Sequence, residues 1–481
     1  MTEILRHRTA IGRGGELSLP VRAAVEAGLL TDAQSFFDYG CGRGEDLKIL
    51  ERQGIGALGW DPNFRPDGTR TEADVVNLGY VINVIEDAEE RADALRQAWA
   101  LSKGLLIVAG RLTMDARRLE AEEFRDGVRT SRKTFQKFYQ QSELKEWIGT
   151  ILGESPVAVA PGVFFVFRHE DARQAYLFRR YPRRRLTPRI SRSEARFESN
   201  RELLQPLLDF LEENARLPGE AESAPFATIT EEFGSLKRAF ALIRRVTGSE
   251  TWDGFRELRM DDLRLQFAMD RFRGRGRFSD LPPSLQIDVR EFFGSYKRAC
   301  EESDELLFAT GDMDAIEAAM SQSPIGKRTG SALYIHVSAL DDLPVILRAY
   351  EGCARAFIGD LVEADVLKLH RGSPRVSYLA YPDFDTDPHP KCGESFLVKL
   401  GAREISYRSY AESANPPILH RKEEFLRSED PRRDGFAKLT NQEEKWGLYE
   451  EPERIGTVNG WSEVLTEKNA VFRGRRLVRI R

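Results

Sequence analysis

The sequence predicts an α/β protein: a doubly wound parallel sheet in residues 1–170, followed by a helical and then an α+β C-terminal region. Three observations carry that prediction. An apolar strand runs through a glycine-rich turn into a helix at Phe36 to Gln53. A second apolar strand ends in Asp61, and strands then alternate with helices as far as Phe167.

Taken in order, Val21 to Leu30 is a short amphipathic helix and Ser35 to Tyr39 the first strand. The strand end and turn read Asp38-Tyr39-Gly40-Cys41-Gly42-Arg43-Gly44, a D-x-G-x-G-x-G pattern. Chain that turns this sharply from strand to helix needs glycine, which tolerates unusual dihedrals and lets a ligand approach the backbone. Glu45 to Gln53 is the first crossover helix, Ala57 to Asp61 the second strand and Asp74 to Leu78 a further, buried strand. Only twelve residues separate Asp61 from Asp74, too few for the usual third strand plus helix, so the Rossmann-like sheet is expected to be shortened. Asp87 suits an N-cap, with Glu90 three residues on in a capping-box pattern, and Gly104 suits the C′ position of the same helix. Leu105 to Ala109 and Gly162 to Phe167 read as buried strands, with a helix from Ser142 to Leu152 between them.

The character changes after a basic linker at 171–199. Residues 200–305 are mainly helical from Glu202 onward, with leucine stripes expected to be core. Residues 306–481 read as an α+β domain of unassigned role, with strands at Ala332 to Val337, Val376 to Tyr381 and Phe396 to Leu400 and a helix from Leu343 to Phe357. Phe472 to Arg481 reads as a basic extended tail.

Composition narrows the class. At 481 residues the chain should hold about three domain-sized units, and 41% hydrophobic residues suffice for packed cores. Four scattered cysteines without metal-ligand spacing point to a reducing compartment and not to a disulfide framework. Met1 to Gly15 lacks an apolar core, and no apolar run nears the roughly 20 residues that span a bilayer. A soluble, cytoplasmic protein with no membrane partner is expected. Net charge is −5, yet nine arginines and only two acids fall between Arg168 and Arg192, among them Arg183, Arg184 and Arg185. Such a run either meets a phosphate backbone or is a solvated linker, with Pro182 and Pro188 opposing regular structure.

A glycine loop after the first strand and an acid after the second is how an α/β sheet holds an adenosine-type ligand, the acid accepting from ribose hydroxyls. A dinucleotide loop carries a third glycine where this chain has Glu45. Asp38 would repel a pyrophosphate but accept hydrogen bonds near the amino-acid part of S-adenosylmethionine. The residues therefore favour S-adenosylmethionine over a dinucleotide, against the plainer reading of a structural glycine turn. Asn77 and Tyr80 stand where amino-methylating enzymes put an N/D-P-P-Y/F motif, whose polar residue accepts from the target amine and whose aromatic stacks on a flipped base. Leu78-Gly79 replaces the two prolines. The other reading of this stretch is an ordinary strand-to-loop transition that brackets the cofactor.

Taken together, Arg6-His7-Arg8-Thr9-Ala10-Ile11, the FDYGCGRG turn, Gly59-Trp60-Asp61-Pro62, NLGYVINVIED and Thr134-Phe135-Gln136-Lys137-Phe138-Tyr139 resemble the DNA phosphorothioation-associated methyltransferases. The resemblance extends through Ser331 to His336 and Tyr381 to Asp385. It implies a class I S-adenosylmethionine-dependent methyltransferase linked to bacterial DNA modification and defence. DNA, plain or phosphorothioate-modified, and other proteins of the modification system are the implied partners. Asp38, Gly40, Gly42 and Gly44 would border the methionine part, Asp61 the ribose, and Asn77 to Tyr80, including Leu78, the transferred methyl. Asn77 and Tyr80 are then the catalytic candidates. The alternatives are a non-catalytic S-adenosylmethionine-sensing or DNA-binding accessory protein, or a methyltransferase acting on RNA or a small molecule.

Two clusters lie outside this domain. Asp383, Asp385 and Asp387 would share one face of a strand and could hold a hard cation, or else mark a polar turn; Pro388 in place of a glycine excludes a calcium hand, and no metal is expected. The string Arg271 to Phe278, with Arg273 and Arg275, mixes basic and aromatic residues as single-strand binders do, or forms a flexible basic loop. His336, His370 and His420 are isolated in sequence.

Overall fold

The computed structural model describes residues 4–9, 15–116, 121–179, 186, 195–360, 362–474 and 476–479. The chain divides into two units: residues 1–168 together with 310–481, and residues 169–309. The first and last of the segments expected from sequence thus pack in one unit.

The first domain begins with α1 (Leu19–Glu26), whose Pro20 sits in the first turn, where a missing N–H costs nothing. Then follow β1 (Phe36–Tyr39), α2 (Glu45–Arg52), β2 (Ala57–Trp60), β3 (Ala73–Gly79), α3 (Ala88–Leu101) and β4 (Ser102–Ala109). A small antiparallel sheet comes next, from β5 (Ala121–Phe124), β6 (Gly127–Thr130) and β7 (Phe135–Gln136). The domain ends with α4 (Gln141–Leu152), β8 (Val157–Ala160) and β9 (Val163–Phe167). The main sheet has the order β2-β1-β3-β4-β9-β8. Its first four strands are parallel, while β9 runs antiparallel to both β4 and β8. This is the shortened Rossmann-like sheet expected: it ends at β2, and residues 61–72 hold neither strand nor helix. All four residues of β1 are buried, as a central parallel strand requires. One face packs Val76, Leu78, Leu106 and Val108 against Leu95 of α3 and Leu144 of α4.

Three local expectations need correction. Asp87 does cap α3, its carboxylate accepting from the N–H groups of Glu89 and Glu90. Glu90 does not return the favour; its carboxylate takes the Arg6 guanidinium, at 2.6 Å. Gly104 is not a helix terminus, because β4 begins directly at Ser102 and includes it; a side chain there would sit 3.1 Å from Asp74 O of the neighbouring strand. The C-terminal segment expected to be a tail is a hairpin, Ala470–Arg473 paired with Arg476–Arg479.

Residues 169–309 are helical, and the leucine stripes are core: Leu204, Leu207, Leu211, Ile243 and Val246 are fully buried. A buried ion cluster lies in the same unit, where Arg216 and Arg259 both bond the carboxylate of Asp288. Arg275 is engaged internally. Its guanidinium pairs with Asp304 at 2.8 Å and donates to Phe267 O near the end of helix Ser249–Asp270. Arg183, Arg184 and Arg185 lie outside the described residues, as does the side chain of Arg273.

The C-terminal domain is built on a six-stranded antiparallel sheet in chain order: β10 (Lys327–Arg328), β11 (Ala332–His336), β12 (Val366–His370), β13 (Arg375–Ala380), β14 (Glu394–Lys399) and β15 (Glu404–Ser409). Leu333, Ile335, Leu367 and Val376 face the helices Met313–Gln322 and Val345–Ile358. The strands β12 and β15 carried no clear sequence signal. Where the helix Val345–Ile358 ends, Gln141 of α4 donates to Phe357 O (3.0 Å) and accepts from Gly162 N–H (2.8 Å), joining this domain to the first.

Three histidines of this domain, His336, His370 and His420, are shifted toward the neutral form. Burial, then Arg432, brings His336 down to about 4. Burial, then Lys368 and Arg375, does the same for His370. Burial and the neighbouring His389 take His420 well below its usual range. Between the unfolded value near 6.5 and the folded value near 4 the unfolded chain binds more protons, so stability falls as pH drops through that window. The melting temperature is therefore expected to fall by several degrees from pH 7 to pH 5; a flat profile would contradict this account.

Candidate functional site

The site forms at the carboxyl ends of β1, β2 and β3, where open α/β sheets place their ligands. A cavity of about 570 Å³ opens there, lined by Asp38, Gly40 to Arg43, Asp61, Asn77, Gly79, Tyr80 and Asn83 among others. That volume is within the range of small-molecule pockets.

Asp38 and Asn77 are directly opposite each other in the β1–β3 register and form the floor. Both are buried, at 5% and 2% exposure. Asn77 Nδ2 donates to Asp38 Oδ1 at 2.8 Å, while Asn77 Oδ1 is a buried acceptor with no partner. An unsatisfied buried acceptor costs free energy unless something supplies a donor. Above them Gly40, Gly42 and Gly44 all take positive φ. At Gly40 a side chain is excluded twice over, by φ +85° and by Val81, whose Cγ2 would lie 2.4 Å from an added Cβ.

Asp61 braces this loop. Its Oδ2 accepts from Gly42 N–H at 3.0 Å, and its Oδ1 accepts from the N–H groups of Asn63 and Phe64 at 2.8 and 2.9 Å. Tyr80 lies at the exit of β3 with φ +60°, uncommon for a residue with a side chain, and its N–H donates to Ala109 O. Such strain concentrates at functional positions. Burial, then Asp38 and Asp61, pushes the Cys41 thiol up to about 12, which disfavours a thiolate there.

The structure brings together Asp38, Gly40, Gly42, Asp61, Asn77 and Tyr80. Two of the candidates are not among the residues lining the cavity. Leu78 is fully buried on the opposite face of β3 among the core residues, because alternate strand residues point to opposite sides. Gly44 is the left-handed N-cap of α2, with the Arg65 guanidinium 2.8 Å from where its Cβ would be.

No protein-family model matches the chain, and no curated protein matches it. It is similar to solved methyltransferases. One is the 1,6-didemethyltoxoflavin-N1-methyltransferase of Burkholderia thailandensis, bound to 1,6-didemethyltoxoflavin and S-adenosylhomocysteine, at 14% identity and TM-score 0.24, over 31% of this chain and 75% of that one. Another is the CcbJ methyltransferase of Streptomyces caelestis, at 14% identity and TM-score 0.25, over 34% and 93%. A third is the magnesium protoporphyrin IX methyltransferase of Synechocystis PCC 6803 with bound S-adenosylmethionine, at 13% identity and TM-score 0.22, over 31% and 76%.

Three contributors had not been singled out. Asn83, 1% exposed, donates to Gln136 Oε1 (2.9 Å) and leaves its own Oδ1 without a partner at the cavity. Its signal was there to find, as the one polar residue in Val81-Ile82-Asn83-Val84-Ile85. Asp46 of α2 takes both the N–H and the hydroxyl of Ser18 at 2.8 Å, fixing the chain before α1 at the rim. Arg6 is held there by Glu86 and Glu90, and nothing local to it predicted that.

The aspartates of the C-terminal domain do not converge. The Asp385 carboxylate pairs with Arg432 at 3.0 Å, that of Asp387 accepts from His389 N–H at 2.8 Å and that of Asp383 from the Thr386 hydroxyl at 3.4 Å. That is the geometry of a polar turn.

Proposed function

We propose that the first domain binds S-adenosylmethionine and acts as a methyltransferase on DNA. The observation that carries the cofactor reading is the buried Asp38–Asn77 pair beneath the glycine loop: a carboxylate for the positive charge of the ligand, and a vacant acceptor beside it for a ligand N–H. A ribose hydroxyl would share Asp61 Oδ2 with Gly42 N–H. When bound, the cofactor supplies a sulfonium methyl that the acceptor's lone pair attacks as the carbon–sulfur bond breaks. The protein then has mainly to orient the partners, an effect that reaches effective molarities of about 10⁵–10⁸ M. In this reading Asn77 Oδ1 would accept from a cofactor or target amine N–H, and Tyr80 would stack on an extruded base.

DNA as acceptor, including phosphorothioate-modified DNA, and the link to a modification and defence system are supported by the sequence resemblance. A second reading, cofactor sensing without transfer, is favoured by the engagement of Asn77 with Asp38. Calorimetric titration of S-adenosylmethionine tests the binding, and labelled methyl transfer onto plain and phosphorothioate DNA separates enzyme from sensor. If Tyr80 stacks on a base, Tyr80→Ala should lower transfer about tenfold to hundredfold, from ~1–3 kcal/mol of lost stacking, with cofactor affinity unchanged. Unaltered transfer would remove that role from Tyr80.

A further inference from the structure

The second face of the sheet β10–β15 packs partly against Leu419 and Phe425 and is otherwise polar. One register row crosses all six strands on that face: Lys327, Tyr334, Lys368, Ser377, Leu397 and Ser406 are successive cross-strand partners. They line a cavity of about 1010 Å³, roofed by residues of the segment 417–456. The residues lining it include four cations and no aspartate or glutamate, in a chain with more acids than bases. Arg421 is neutralised by Glu444 at 2.6 Å. Among the described residues no carboxylate forms an ion pair with Lys327, Lys368 or Arg408. Burial lowers the Lys327 ammonium below its usual range, with Glu424 and Glu423 opposing that shift from outside the lining, and an anion beside it would favour its charged form.

The cavity is also rich in rings. Tyr334, Tyr381, Tyr407, Tyr410 and Tyr449 all line it, and Lys368 Nζ lies 5.1 Å above the Tyr334 ring. On the roof, His420 is 7% exposed; its Nε2–H donates to Ile455 O at 2.6 Å, and its Nδ1 is a buried acceptor without a partner. Cations without acids draw a phosphate, aromatic faces stack on a base, and a vacant ring nitrogen accepts from a base N–H or a ribose hydroxyl.

We propose that this cavity binds a nucleotide, free or as a unit of a single strand, with phosphate at Lys327 and Lys368 and base against the tyrosines. The site stands apart from the methyl-transfer reading, and neither needs the other. The two are neighbours all the same: β15 packs against the turn Thr113–Ala116, whose Asp115 lines the first cavity.

The test uses the full-length protein, with calorimetry of deoxynucleoside monophosphates and inorganic phosphate, and fluorescence polarisation of a labelled short oligothymidylate. Binding of nucleotide or oligomer is expected. Lys368→Ala should weaken it about tenfold and lower the salt slope of oligomer binding by about 1. Tyr334→Leu should weaken it by a similar factor. Both variants should keep the melting temperature and S-adenosylmethionine affinity of the parent, which separates failure here from failure at the first site. Tighter binding of the oligomer identifies a strand as the source, and equal binding a free nucleotide. No binding at millimolar concentration, affinity unmoved in Lys368→Ala, or phosphate alone binding as tightly as nucleotide would each overturn the proposal.

Discussion

Asp38→Ala is expected to weaken S-adenosylmethionine binding by about 100-fold or more. The carboxylate is 5% exposed and tied to Asn77, so its removal takes away a desolvated charge and orphans the Asn77 amide as well. Truncating one partner of a buried, hydrogen-bonded charge contact costs about 2–5 kcal/mol. Asp38→Asn keeps the shape and an acceptor but loses the charge, and should fall between parent and alanine variant. Calorimetry on variants whose thermal unfolding matches the parent reads both. Affinity within threefold of the parent for Asp38→Ala would sink the cofactor reading, since among the described residues no other carboxylate is paired with Asn77 on the floor.

The second large effect is on stability. Gly359→Ala should destabilise the protein by about 2–6 kcal/mol, the sum of overpacking and of backbone strain. Gly359 follows the helix Val345–Ile358 at φ +97°, and an added Cβ would lie 2.3 Å from Val159 C and 2.4 Å from Ala160 N of β8. Both obstacles are backbone, which cannot rotate aside as a side chain does. Gly372→Ala is the matched control: φ there is +66°, but nothing lies within 4 Å of the new Cβ. It should show the strain alone. Urea unfolding of the two variants measures the difference, and equal losses would mean that the contact with β8 does not matter.

What could be read from sequence follows range of interaction. The strand, glycine turn and helix at Phe36 to Arg52 are set by neighbours in the chain: apolar residues for the strand, glycines for the positive φ values and an amphipathic run for α2. The missing outer strand was equally readable, because twelve residues cannot hold a strand and a helix. Asp61 was found for its place at the end of β2; that it also braces the Gly42 amide depends on how the turn at Asn63 and Phe64 closes. Leu78 and Gly44 were assigned to the site by the resemblance; alternation along β3 turns the Leu78 side chain into the core, and Gly44 caps α2.

Sequence by itself therefore determined the shortened Rossmann-like domain, the glycine loop and the polar residues at its mouth, since each depends on spacing and local backbone preference. Tertiary structure alone decided the rest. It turned Arg275 inward to Asp304, seated Gly359 on β8 and aligned Lys327, Tyr334 and Lys368 in one row across β10, β11 and β12. Those outcomes depend on cross-strand register and on contacts between distant segments, which exist only after the chain has folded.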